Sequence, residues 1–135
     1  YNMAFLEWDD SFETGIAEID TQHRKLLKMI SDFYDKMIEN NKEAISNLLD
    51  SLVLYTIYHF KTEENYFEKF GYEESESHIR EHDSFREKVS KVKRLNDDGK
   101  AVLSLDLTSF LKTWIIKHIK GSDMQFVKCF KENGL

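Results

Sequence analysis

Proline is absent from the sequence, and glycine occurs only five times. Proline removes a backbone donor and clashes with the preceding helical turn, so its absence leaves long helices uninterrupted. Cysteine occurs once, as Cys129. A lone cysteine forms no internal disulfide and fits a reducing, cytoplasmic compartment; Cys129 itself reads as a small core residue near the C-terminus. Positive charge is in deficit, with a formal net charge of −6. That argues against a nucleic-acid partner, whose phosphates demand a basic face, and against docking on an anionic membrane. No window approaches the roughly 20 apolar residues of a membrane span. The first residues, Tyr1 to Glu7, show no basic region followed by an apolar stretch, so no signal peptide is expected. Tyr1 stands where methionine is usual, a hint that residues before Met3 are altered or missing.

What remains is an ordinary balance of 41% hydrophobic and 33% charged residues over 135 positions, enough for one domain, 1–135, with one core. Residues 1 to about 16 read as an irregular arm whose Phe5, Trp8 and Phe12 pack on the body. Helical periodicity then runs from about Glu18 to Glu39, with Ile19, Leu26, Leu27, Ile30, Phe33, Tyr34 and Met37 on one face. Asn40 and Asn41 end it. A second helix is expected from about Lys42 to Phe70, with Gly71 as a left-handed cap. A third starts near Ser75 or Ser77, whose hydroxyls can cap free amides. It carries Phe85, Val89, Val92 and Leu95 to a turn at Asn96–Gly99. A fourth starts near Ser104 and carries Leu107, Phe110, Leu111, Trp114, Ile115 and Ile119. A short C-terminal helix runs from about Asp123 to Glu132. Short connections force antiparallel neighbours, so the expected fold is an all-α, up-down-up-down four-helix bundle with an N-terminal arm.

The function signal lies in what interrupts the apolar stripes. All five histidines, His23, His59, His78, His82 and His118, fall on apolar helix faces, and Glu63 and Asp123 join them. Any one such histidine is more often a hydrogen-bonded core residue than a ligand. Seven buried polar side chains on all four helices are another matter, because each left unpaired costs roughly 1–3 kcal/mol. A shared metal site removes that cost. Residues four apart share a helix face, so Glu63 joins His59 and His82 joins His78. Five steps along a regular helix, however, put Asp123 roughly 140° away from His118. A π-bulge has the required five-residue step, and Gly121 lies inside the interval, so a local distortion is predicted there.

Imidazole with carboxylate suits iron, zinc, copper or nickel. Seven ligands exceed the tetrahedral set of one zinc, so two metals are the natural reading. Suppose both are six-coordinate iron, Glu63 and Asp123 each bridge through both oxygens, and one solvent oxygen also bridges. One coordination position then stays open for a small molecule. No Glu-x-x-His pair of the ferritin-type di-iron proteins occurs here. An imidazole-rich shell favours reversible binding over oxidation of a substrate.

The stretches Gly15–His23, His59-Phe60-Lys61-Thr62-Glu63-Glu64, His78 through His82, and Trp114 through His118 to Asp123 together resemble the bacterial hemerythrins, non-haem di-iron oxygen-binding proteins. The resemblance covers essentially the whole chain. It implies that His78, His82 and His118 hold one iron and His23 and His59 the other, with Glu63, Asp123 and an oxo or hydroxo group as bridges. Dioxygen would occupy the open iron position and draw electrons from the pair. Leu26, Phe60, Trp114 and Ile115 would wall an apolar pocket around it. Phe67 stands where the family often has methionine or leucine, and Ile115 where many relatives have leucine; neither position carries a ligand.

The function expected from the resemblance is therefore reversible dioxygen binding for storage, delivery or sensing, by a monomer that is not an enzyme. Nitric oxide and small anions are further candidate ligands. One alternative is a di-iron enzyme reducing nitric oxide or peroxide on the same scaffold; another is an oxygen or redox sensor module of a larger protein. A third motif, His78-Ile79-Arg80-Glu81-His82, fits the H-x-x-E-H pattern of zinc peptidases with Glu81 as base. That reading leaves His23, His59, His118 and Asp123 without a role.

Overall fold

A computed structural model of the chain describes residues 4–99 and 105–135. Each long helix buries most of the stripe that its apolar spacing marks out. Helix α1 spans Ala17–Glu39, α2 Lys42–Phe70, α3 Ser75–Asp97 and α4 Leu105–Lys117. A π-helical segment, His118–Asp123, follows α4 without a break and leads into α5, Met124–Glu132. Helix α1 packs on α2 and α4, and α2 packs on α3. Phe85 of α3 meets Phe110 and Trp114 of α4 and closes the bundle.

The turns follow from local chemistry. Asn40 takes the left-handed conformation (φ 55°) at the end of α1, and the Asn41 side chain then accepts a hydrogen bond from the Ala44 amide to open α2. With only Asn40 and Asn41 between them, α1 and α2 are forced antiparallel. Gly71 (φ 63°) caps α2 in the same left-handed region, its N–H donating to the Phe67 carbonyl. Helix α3 starts at Ser75, within the expected interval, but its capping differs from expectation. Its N-cap is Glu74 with no side-chain hydrogen bond, and the Ser77 hydroxyl donates to the Glu74 carbonyl instead of accepting from a free amide. The expected start of the fourth helix, near Ser104, lies outside the described residues.

Two apolar clusters form. The larger holds Leu26, Leu27, Phe33, Leu52, Phe60, Phe85, Leu111 and Ile115; the smaller holds Ile16, Ile19, Phe67, Phe126 and Phe130. The arm joins the first: Leu6 and Phe12 are buried, Phe5 stacks on Tyr34 at 3.9 Å, and Trp8 leans on Phe12. The arm is less irregular than expected, because Asp10–Phe12 forms one 3-10 turn in which the Asp9 carboxylate accepts from the Ser11 amide. Leu95 is exposed rather than on the buried stripe of α3, and Cys129 is only partly buried, at the edge of the smaller cluster. No helix among the described residues is long and apolar enough to cross a membrane.

The π-helical turn sits where the ligand spacing demands it, and position 121 within it does not require a glycine. Its φ is not positive, and a Cβ added there meets nothing within 4 Å. Gly121→Ala is therefore expected to keep the fold and to stabilise it by up to about 1 kcal/mol through reduced chain entropy. Phe33 is fully buried on α1, well over one helical turn from His23. Phe33→Ala is expected to cost about 3–5 kcal/mol in urea unfolding, with metal bound per folded chain unchanged.

Candidate metal centre

Helices α1, α2 and α3 and the π segment each deliver at least one polar side chain to one buried layer. His23 comes from α1, His59 and Glu63 from α2, His78 and His82 from α3, and His118 and Asp123 from the two ends of the π segment. All seven are at most 3% exposed. The apolar residues flanking them in sequence belong to different clusters, Ile19 and Leu26 on α1, Phe67 and Phe60 on α2, Phe126 and Ile115 around the π segment. The polar layer thus lies between two apolar cores.

Within that layer the ligand atoms fall into two groups. Glu63, His78, His82, His118 and Asp123 form one; His23, His59, Glu63 and Asp123 form the other; within each group the atoms lie within 4.8 Å of one another. The two carboxylates are shared, and each divides its oxygens. Glu63 Oε1 faces His82 Nε2 at 3.1 Å and His78 Nε2 at 3.4 Å, while its Oε2 faces His59 Nε2 at 3.0 Å and His23 Nε2 at 3.2 Å. Asp123 Oδ1 faces His78 Nε2 at 2.9 Å and His118 Nε2 at 3.1 Å, while its Oδ2 faces His23 Nε2 at 3.0 Å. All five imidazoles present the same nitrogen, Nε2.

The outer ring nitrogens have partners that the sequence did not single out as a set. His59 Nδ1 meets Gln22 Oε1 at 2.7 Å, His82 Nδ1 meets Glu64 Oε2 at 2.7 Å, and His118 Nδ1 meets Glu81 Oε1 at 3.0 Å. Glu64 is held in turn by Arg86, and Glu81 accepts from the Ser122 hydroxyl. Glu81 therefore serves His118 on another element and is not aimed between His78 and His82, as the peptidase motif would need. Gln22 had a signal, its place beside His23 on the buried stripe of α1. Glu64 and Glu81 pair with histidines on other helices, which only the tertiary arrangement reveals. Aromatic rings brace the three-histidine group. Phe60 stacks on His82 at 3.8 Å, Trp114 on His118 at 4.5 Å, and Phe67 meets His78 edge-on at 4.8 Å. Leu26, Phe60 and Ile115 are buried in the larger cluster, with partly buried Trp114 packed against it.

The residues fit a pair of metal ions. Although the facing atoms are close, Glu63 Oε1, His78 Nε2 and both oxygens of Asp123 are buried without a hydrogen-bond partner. Buried polar atoms are nearly always satisfied. Atoms that approach without aligning to one another are arranged around common points, as coordination requires. Nitrogen and carboxylate oxygen are the donors that iron and its first-row neighbours take.

Without metal, the layer stores protons. Burial alone would drive His23 and His78 toward the neutral form, but the Asp123 and Glu63 carboxylates close beside them outweigh it and raise both pKa values to about 9. His118 is raised for the same reason, chiefly by the Asp123 charge, against its burial. His59 is lowered by burial, which the Glu63 charge does not fully offset. Burial would raise Glu63 and Asp123, but the surrounding imidazoles hold both well below the usual carboxylate range. Histidines with raised pKa stabilise the folded state below about pH 6.5, and that contribution is lost as pH rises through about 9. The lowered carboxylates stabilise it above about pH 4 and act oppositely only in acid. Metal-free protein is therefore expected to lose on the order of 5 °C in Tm between pH 6.5 and 9, a loss that metal loading removes because bound imidazoles are already deprotonated. Thermal unfolding with and without chelator checks this; a flat metal-free profile would contradict it.

Known proteins share this sequence pattern and this fold. Residues 14–130 match the family described as the hemerythrin HHE cation binding domain. A bacteriohemerythrin of Pseudomonas aeruginosa (strain UCBPP-PA14) is 33% identical over 131 residues, covering 97% of this chain and 85% of the relative. The bacteriohemerythrin of Methylococcus capsulatus is 30% identical, covering 94% and 98%. A crystal structure of wild-type hemerythrin superposes with a TM-score of 0.90 at 29% identity, covering 93% of this chain and 98% of that one. With the family match running from residue 14 to residue 130 and relatives of this identity spanning nearly the whole chain, the protein belongs to the hemerythrin family.

Proposed function

We propose that this chain binds dioxygen reversibly at a non-haem di-iron centre whose ligands are His23, His59, Glu63, His78, His82, His118 and Asp123. The observation that carries the reading is the unequal division of the layer: three imidazoles on one side, two on the other, and both carboxylates common to the two. When bound, a ferrous pair supplies the two electrons that dioxygen takes up reversibly. The chain's own residues do the rest. Glu63 and Asp123 hold the two sides at a fixed separation, each through one oxygen per side. The two-histidine side has one imidazole fewer, so room for a small ligand lies there. Leu26, Phe60, Trp114 and Ile115 keep water from the layer, which favours release of the ligand unchanged over its loss as a reduced product. The ligand shell is five neutral imidazoles and two carboxylates, which stabilises high-valent iron less than a carboxylate-rich shell does and so weighs against substrate oxidation.

The layer lies between two clusters drawn from every helix, so we assign residues 1–135 to one hemerythrin-like domain. The test is a cycle under controlled gas. Iron-loaded protein, reduced without oxygen, is expected to gain a visible charge-transfer band when oxygen is admitted, to lose it under argon, and to regain it on re-exposure. A band that forms once and never reverses would shift the assignment to redox sensing or to nitric oxide or peroxide chemistry.

A further inference from the structure

The two sides of the polar layer differ in what stands behind the imidazoles. On the three-histidine side, His82 and His118 each face a carboxylate, Glu64 at 2.7 Å and Glu81 at 3.0 Å. On the two-histidine side, His59 faces the neutral amide of Gln22, and the buried His23 Nδ1 has no partner among the described residues. A carboxylate can only accept, so Glu64 and Glu81 require Nδ1–H on His82 and His118 and leave the Nε2 lone pair free for a metal. The negative charge also makes those imidazoles stronger donors. The Gln22 amide fixes the tautomer of His59 without that charge, and nothing fixes His23 from behind.

We propose that Glu64 and Glu81 are positioning residues that make the three-histidine side hold its metal ion more tightly than the two-histidine side, so that metal leaves the pair in a set order. This rests on the di-metal reading above. Two details grade the pair. Glu64 is the more buried carboxylate and is pinned by Arg86, whose charge offsets part of its own. Glu81 is half exposed, so solvent screens it more, although Ser122 holds both of its oxygens. Glu64 is therefore the stronger contributor. The arrangement divides the labour within one site: one ion anchored, the other held loosely on the side with room for a ligand.

The test uses the full chain loaded with Co(II), which is coloured and redox-inert, and follows metal release to excess chelator. Wild-type protein is expected to release its metal in two phases of equal amplitude. Glu64→Gln is expected to accelerate the slow phase by roughly tenfold and leave the fast phase alone, with Glu81→Gln doing the same to a smaller degree. Gln22→Glu, which gives His59 the charge it lacks, is expected to slow the fast phase; a merely structural role would not produce that gain. A slow phase within about twofold of wild type in Glu64→Gln, or both phases accelerated together in the two glutamine variants, would overturn the proposal. Wild-type protein that binds fewer than two Co(II) ions per chain would instead overturn the di-metal reading itself.

Discussion

Burial of seven ionisable side chains in one layer is the constraint on which the rest of the structure depends. Taken singly, none of His23, His59, Glu63, His78, His82, His118 or Asp123 belongs inside an apolar bundle. Together they cancel one another's cost, first by proton sharing and then by coordination. Close opposite charge keeps Glu63 and Asp123 ionised and His23 and His78 protonated despite their burial. The metal-free layer is consequently a cluster of opposite charges. It must give up its protons when metal arrives, because an imidazole binds metal only in its neutral form.

The fold serves this layer more than the layer serves the fold. Apolar clusters lie on either side of it, and α1, α2 and α3 each contribute to both the packing and the polar set. Where the regular helix repeat cannot meet the demand, the backbone yields: the π segment spans His118 to Asp123 so that both ends face inward. Aromatic faces then limit the freedom of the imidazoles, Phe60 against His82 and Trp114 against His118, so that ring orientation is set by packing as well as by the outer hydrogen bonds. Asymmetry enters at this level, since both the stacked aromatics and the outer carboxylates concentrate on the three-histidine side.

Most of this was legible in the sequence because it is written in periodicities. The apolar stripes of α1 and α2 gave helices that end at Asn40 and Gly71, where small or polar residues accept left-handed backbone. The same stripes carried the histidines inward, and the five-residue interval from His118 to Asp123 demanded the π turn without any need for Gly121. What escaped the sequence is what depends on a neighbouring helix. Gln22, Glu64 and Glu81 are ordinary polar residues until His59, His82 and His118 arrive from elsewhere in the bundle. Leu95 fits a helical stripe by spacing, yet its side chain is exposed. Likewise, the start of α3 offered serine hydroxyls as caps, but Ser77 turned its hydroxyl to a carbonyl.

The most direct test of the central claim is anomalous diffraction at the iron edge from crystals of iron-loaded protein. Two iron peaks are expected between the helices, one bonded to Nε2 of His78, His82 and His118, the other to Nε2 of His23 and His59, with Glu63 and Asp123 each reaching both. A single peak, or iron bound anywhere outside this layer, would contradict it.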